Sequence, residues 1–264
     1  MVVLKGYTYI LPTASPFEAL DEIKIALLLE DMGIVPLHLN DIVDLRLSGR
    51  RVRKTAEICP YHRAVKCEPL FNPNCHNEEK RHTLCKFPHV VYLAAFRNKL
   101  KVGTAVKGRE LLRVYEQGAR AFSILAVTRD YPHAVMLERT VSKTYDEIKE
   151  RPRITYSDVI IHNADEIIRL RDKLNQITKR IALDLGLNDW LKARVLHYPC
   201  LDEEMTLLNS SEDFKGRIVG YIGPFLILKR NDYISSVLDL RKVEGMEVRG
   251  YVIDGVSGET TEIY

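Results

Sequence analysis

Eight potential metal donors crowd one stretch of the chain: Cys59, His62, Cys67, Cys75, His76, His82, Cys85 and His89. Four of the five cysteines fall within 27 residues, and only Cys200 lies outside. Thiolate and imidazole donors together suit tetrahedral Zn²⁺. In a reducing compartment such a cluster points to metal rather than to disulfides. Cys59-x2-His62 has the spacing of a zinc knuckle, and Cys85-x3-His89 is also compatible with chelation. The gaps of seven, seven and nine residues between the four cysteines match no standard finger. The expected ligand set of a structural zinc is Cys59, Cys67, Cys75 and Cys85, with His62 and His89 as alternates. His89 reads equally well as a structural residue opening the next strand.

Immediately downstream comes "HVVYLAAFRNKLKVGTAVKGRELLRVYEQGA", residues 89–119. It reads as strand, tight turn, strand, glycine and a helix bearing arginines. That order presents Tyr92, Lys101 and either Arg113 or Arg109 to a common region, where they could meet a phosphate. Lys99, Lys107 and Arg109 add positive charge around them. A second cationic run, Arg46 to Lys54 and including Arg51 and Arg53, flanks the Cys/His segment. A polyanion would bind such surfaces with a strong salt dependence. The plainer alternative is an ordinary α/β core, with Tyr92 a packed aromatic, Arg113 solvated and Glu138 paired with Arg139 or Lys143 on its own helix.

The elements that must position these residues follow from periodicity. Residues 2–10, 34–39 and 44–53 alternate like strands, and 16–32 reads as an amphipathic helix ended by Gly33. The 59–89 segment has four prolines and little periodicity, so it cannot build an apolar core alone. A hairpin turns at Arg97-Asn98. Then follow a helix at 109–118, a third strand "AFSILAVT", and a second helix "HAVMLERTVSKTY" that carries Glu138. A long helix over 157–185 has Ser157 as its N-cap and ends at Gly186. The tail from 217 is strands, a meander or small barrel. The expected fold class is α+β, with regions 1–58, 59–89, 90–150, 155–186 and 187–264. At 264 residues, 46% hydrophobic, 28% charged and net charge +3, the chain supports a real core and permits a nucleic-acid partner without requiring one. No apolar run approaches the ~20 residues of a membrane span. The opening segment has no basic leader, and the expected location is the cytoplasm.

The 89–145 segment resembles the GIY-YIG nuclease superfamily, in which two adjacent strands each carry a tyrosine, a glycine follows the second, and an arginine and a glutamate come from later helices. "VVY" supplies Tyr92, "KVG" supplies Gly103, the next helix supplies Arg113, and "HAVMLERTV" supplies Glu138. More specifically, residues 34–145 resemble an uncharacterised prokaryotic family that joins a Cys-rich, zinc-type segment to such a domain. The resemblance implies a β-β-α-β-α core and a catalytic set of Tyr92, Lys101, Arg113 and Glu138. In that set Tyr92 is the base, Arg113 meets the nonbridging oxygens and Glu138 holds Mg²⁺ or Mn²⁺. Gly103 lets the nucleic acid approach the backbone. Two departures stand out: Lys101 replaces the second tyrosine, and the family's later asparagine is absent between 139 and 160. The literal "YIG" at 221–223 is a decoy, its glycines read as bends in a tail strand. The expected function is a zinc-containing DNA- or RNA-binding protein, a divalent-metal-dependent nuclease in one form. The alternatives are a non-catalytic binding or scaffold protein and an RNA-modification factor.

Overall fold

The computed structural model describes residues 2–11, 23–30, 32–51, 84–159, 163–199, 207–208, 214–231 and 235–264. Cys59, His62, Cys67, Cys75, His76, His82, Arg53 and Cys200 lie outside them, so the expected zinc set is described only at Cys85 and His89. The protein is a mixed α+β chain rich in sheet. It divides into two compact units. The first holds the described residues of 1–54, 115–118 and 197–264; the second holds those of 55–114 and 119–196.

In chain order, β1 (Val2–Ile10), β2 (Lys24–Leu29), β3 (Gly33–Leu37) and β4 (Ile42–Arg51) come first. A short 3₁₀ turn (Leu84–Lys86) precedes β5 (His89–Phe96) and β6 (Lys99–Val106). Then come α1 (Glu110–Gln117), β7 (Ala121–Thr128), α2 (Tyr131–Thr144) and β8 (Ile148–Lys149). They are followed by α3 (Tyr156–Val159), α4 (Ala164–Asp184) and β9 (Arg194–Val195). The last elements are β10 (Leu207–Leu208), β11 (Phe214–Ile222), β12 (Phe225–Lys229), β13 (Ser235–Asp239), α5 (Leu240–Val243), β14 (Met246–Ile253) and β15 (Thr260–Ile263).

The first unit is one curled sheet in the order β10-β13-β12-β11-β4-β14-β1-β2-β3, with β15 on β14. Every pairing is antiparallel except β10 with β13. Because β4 pairs with both β11 and β14, the two terminal regions expected to be separate share this sheet. Alternation fixes the facing: Val43 and Leu45 are buried, while Ile42 and Arg46 are exposed. The expected helix over 16–32 is corrected at Lys24–Leu29, which is β2, while its residues 16–22 lie outside the described residues. After Lys24, "IALLL" is a continuous apolar run, and such a run suits a strand buried on both faces as well as a helix. Tyr9, Tyr115, Tyr198 and Tyr221 form an aromatic cluster in this unit, with ring centroids 5.1–6.2 Å apart. The "YIG" string belongs to it. Tyr221 is buried and donates its hydroxyl hydrogen to the Ile23 carbonyl. Gly223 sits at φ +57°, where an added Cβ would lie 2.5 Å from Gly118 Cα.

The second unit holds a five-stranded sheet in the order β8-β6-β5-β7-β9. The expected hairpin is present, with Phe96 opposite Lys99 across a two-residue turn. The central strand β5 is buried along its whole length, so "HVVYLAAF" needs no polar face. Val91, Leu93, Leu100, Val102 and Leu125 pack with Ala134 and Val141 of α2 and with Leu170, Leu174 and Ile181 of α4. Asp130 caps α2 by accepting from the His133 backbone N–H at 3.0 Å. The expected 157–185 helix is instead a single turn, α3, and a separate α4 capped by Asn163. Asp158 closes that turn by accepting from Thr155 N and Oγ1 at 2.8 and 2.6 Å. The end of α4 falls as expected, with Gly186 at φ +64°.

Candidate functional site

Tyr92 and Gly103 are directly opposite on β5 and β6. Tyr92 is completely buried, and a Cβ at position 103 would lie 2.6 Å from its Cζ and its hydroxyl oxygen. Gly103 therefore has a packing reason to be glycine that does not depend on a ligand. Tyr92 fills that space as a packed aromatic, and its burial ill suits it to take a proton from solvent water.

Two pairs along the ladder, Ala94 faces Lys101. Lys101 is half-buried, and burial lowers its pKa to about 8, helped by Arg113 and Arg151 and opposed by Glu138. Glu138, on α2, is pushed up to about 7, first by burial and then by Glu150, against the pull of Lys101, Arg151 and Arg139. Arg113, from α1, and Glu138, from α2, both act electrostatically on Lys101 of β6. An amine and a carboxylate that both titrate near neutrality are what proton transfer at physiological pH requires.

Glu150 and Arg151 complete this constellation, and neither was expected from the sequence. Both follow β8, whose two-residue parallel pairing brings Lys149 opposite Lys101. Glu150 is held by a 2.7 Å hydrogen bond from Ser142 Oγ. The only signal in the sequence was a mixed charge run, "EIKERPR", which reads as a solvated loop. Glu138 and Glu150 together offer two hard oxygen donors whose mutual repulsion a divalent cation would relieve, which fits Mg²⁺ or Mn²⁺.

Lys99 stands apart from this group. Its ammonium donates to Asp158 Oδ2 at 2.6 Å and to the Arg153 carbonyl at 2.7 Å. It thereby anchors the 153–158 segment. Burial pushes Asp158 up, but the hydrogen bonds from Lys99 and Thr155 prevail and hold its carboxyl below the ordinary range. Lys107 and Arg109 are exposed. Arg51 ends β4, opposite Met246.

Cys85 is buried, at 7% exposure, in the 3₁₀ turn before β5. His89 is 2% exposed; its Nδ1 donates to the Phe87 carbonyl at 2.8 Å, and its ring lies 5.1 Å from Tyr131. Burial lowers its pKa, against the Phe87 carbonyl and Asp130, so the ring is neutral with Nε2 as the acceptor. That tautomer is the one a metal-binding histidine uses when its Nδ1 is fixed by a carbonyl. Among the described residues, no group of three or more His, Cys, Asp or Glu side chains forms a metal cage. Nor is any helix among them long and apolar enough to cross a membrane.

A family model described as "Protein of unknown function (DUF2797)" matches residues 63–248, and the chain belongs to that family. No curated protein and no solved structure matches the chain.

Proposed function

We propose that this member of the family is a nucleic-acid-binding protein whose second unit carries a divalent-metal-dependent phosphodiesterase site of GIY-YIG-like type. The observation that carries the reading is the convergence of Lys101, Arg113 and Glu138, with Lys101 and Glu138 both titrating near neutrality. The β-β-α-β-α order around a central first strand supports it. Zinc belongs to the 59–89 segment, with Cys85 and His89 as the described end of its ligand set.

The chemistry divides among these side chains as follows. Water adds to phosphorus, one P–O ester bond breaks, and the leaving oxygen takes up a proton. Lys101, as the neutral amine, accepts the proton of the attacking water, the task the buried Tyr92 is ill placed to perform. Arg113 and Arg151 neutralise the charge that grows on the nonbridging oxygens. Glu138 and Glu150 would hold the divalent ion. Bound there, that ion supplies Lewis-acid stabilisation of the leaving oxygen.

A panel of single- and double-stranded DNA and RNA, with and without Mg²⁺ or Mn²⁺, tests the proposal through binding and cleavage together. Metal-dependent cleavage that disappears in Glu138→Gln, with binding retained, is the expected result. Binding without cleavage on every substrate would refute the phosphodiesterase. It would favour the second reading, a platform that grips nucleic acid without cutting it. Lys101 at the tyrosine position and the burial of Tyr92 are the observations on that side.

A further inference from the structure

The exposed face of the first unit's sheet carries a groove of about 1100 Å³ across β4, β11, β12 and β14. Six cations line it against one acid, Asp44. Strand register places several of them in like-charged pairs. Arg46 is directly opposite Arg249 on β4 and β14, and Arg217 is directly opposite Lys229 on β11 and β12. Like charges directly opposite one another destabilise a sheet. Between the two pairs, the one acid, Asp44, accepts from Lys215 at 2.7 Å. Among the described residues, Arg46, Arg217 and Arg249 form no ion pair. Two rows of positive charge therefore face one concavity, with Ile42, opposite Arg217, marking the second row on β4. They are four residues apart along β4, or about 13 Å.

Tyr251 lies between the rows, directly opposite Asp44, with 38% of its surface exposed. An aromatic face between two cation rows offers stacking to a planar base while the rows hold the phosphates on either side.

From these observations we infer that this groove binds single-stranded nucleic acid. Cation rows alone would suit any polyanion. The exposed tyrosine between them selects a polyanion with unstacked bases, which a duplex does not present. The inference stands on the first unit alone and makes no use of the Lys101 site.

The test is fluorescence anisotropy with labelled 12-nucleotide oligo(dU) and oligo(rU), the 12-base-pair duplex, and inorganic polyphosphate as a base-free anion. The proteins are full-length wild type, Arg46→Gln/Arg249→Gln and Tyr251→Ala, each checked for its melting temperature. The neutral substitutions sit on an exposed face and remove repulsion, so the variants fold. Wild type should bind at least one single strand more tightly than the duplex. The double variant should flatten the slope of log K against log salt by about 1.4, two phosphates at about 0.7 each. Tyr251→Ala should weaken oligonucleotide binding about fivefold or more and leave polyphosphate binding unchanged. Unchanged affinity and slope in both variants would overturn the inference. Equal losses on polyphosphate and oligonucleotide in Tyr251→Ala would also overturn it, as would no binding to either single strand. A groove that binds while the wild type cuts nothing defeats only the phosphodiesterase reading. Binding lost in Arg113→Gln but kept in the groove variants defeats only this one.

Discussion

The two units treat positive charge in opposite ways. In the second, Lys101 is drawn partly out of water beside Arg113 and Arg151, and its pKa falls to about 8. In the first, Arg46, Arg217 and Arg249 stay exposed on a sheet face. Burial makes a cation's protonation responsive to its neighbours, which is what proton transfer needs. Exposure keeps the charge permanent and screened, which is what holding a phosphate backbone needs. The same side-chain chemistry is thus suited to reaction in one unit and to grip in the other.

The comparison is broken most sharply at Glu138. Glu138→Gln should reduce metal-dependent cleavage by about 10²–10³ and leave nucleic-acid affinity within about twofold. The same substitution should stabilise the fold. Glu138 is pushed up to about 7 in the folded protein, against 4.5 for an ordinary glutamate. The folded state therefore holds more protons between those values, and stability falls as pH rises through that window. Removing the charge should recover on the order of 2–3 kcal/mol at pH 7.5 without metal, and nearly nothing at pH 4. Thermal denaturation at the two pH values measures it. A Glu138→Gln protein less stable than wild type at pH 7.5 would mean that Glu138 is a structural partner.

Lys101→Arg keeps the charge but cannot lose a proton in this range. Cleavage should fall by about 10²-fold while binding persists. The wild-type rate should rise with pH as Lys101 deprotonates near 8. In the arginine variant that rise should vanish. A profile unaltered by the substitution would place the base elsewhere.

Gly103→Ala comes next in size. Its methyl would lie 2.6 Å from Tyr92 in a strand buried on both faces, so about 1–3 kcal/mol of stability should be lost. Gly103→Ala combined with Tyr92→Leu should cost less than the sum of the two single changes, because they share one space. Lys99→Ala should cost about 1–2 kcal/mol by stranding the buried Asp158 carboxylate. Since the Asp158 pKa is depressed by folding, that contribution is present above the ordinary carboxylate range and lost as pH falls through the folded value. Wild type and variant should therefore converge in strong acid, as equilibrium denaturation would show.

Much of the second unit was legible in advance because its signals are local. A two-residue turn set the hairpin, a short apolar run set β5, and helical period set α1 and α2. Lys101, Arg113 and Glu138 were legible as types in order. What escaped depends on contacts distant in sequence. Glu150 and Arg151 reach the site through the two-residue pairing of β8, which leaves no pattern. The Lys99–Asp158 ion pair joins residues 59 positions apart. In the first unit, single strands were legible but their union was not, because β4 meets β14 only after some 200 intervening residues. The cationic rows exist only through that union: Arg46 and Arg249 look like unrelated surface charges until register sets them opposite.

That register gives the smallest effect and the finest check on the comparison. Arg249→Thr removes one member of a cross-strand cation pair and installs a residue suited to an exposed strand. Without ligand the protein should gain about 0.2–1 kcal/mol at low ionic strength. The gain should shrink toward zero at 1 M salt, where the Debye length falls to about 3 Å. Salt should therefore stabilise wild type more than the variant, readable as converging melting temperatures in a salt titration. A charge substitution in the second unit should behave differently, because partly buried groups are screened far less. The Glu138→Gln gain at pH 7.5 should survive the same titration. If the Arg249→Thr gain also proved indifferent to salt, the pair would be interacting through packing rather than repulsion. The groove would then hold no stored electrostatic cost for a polyanion to relieve.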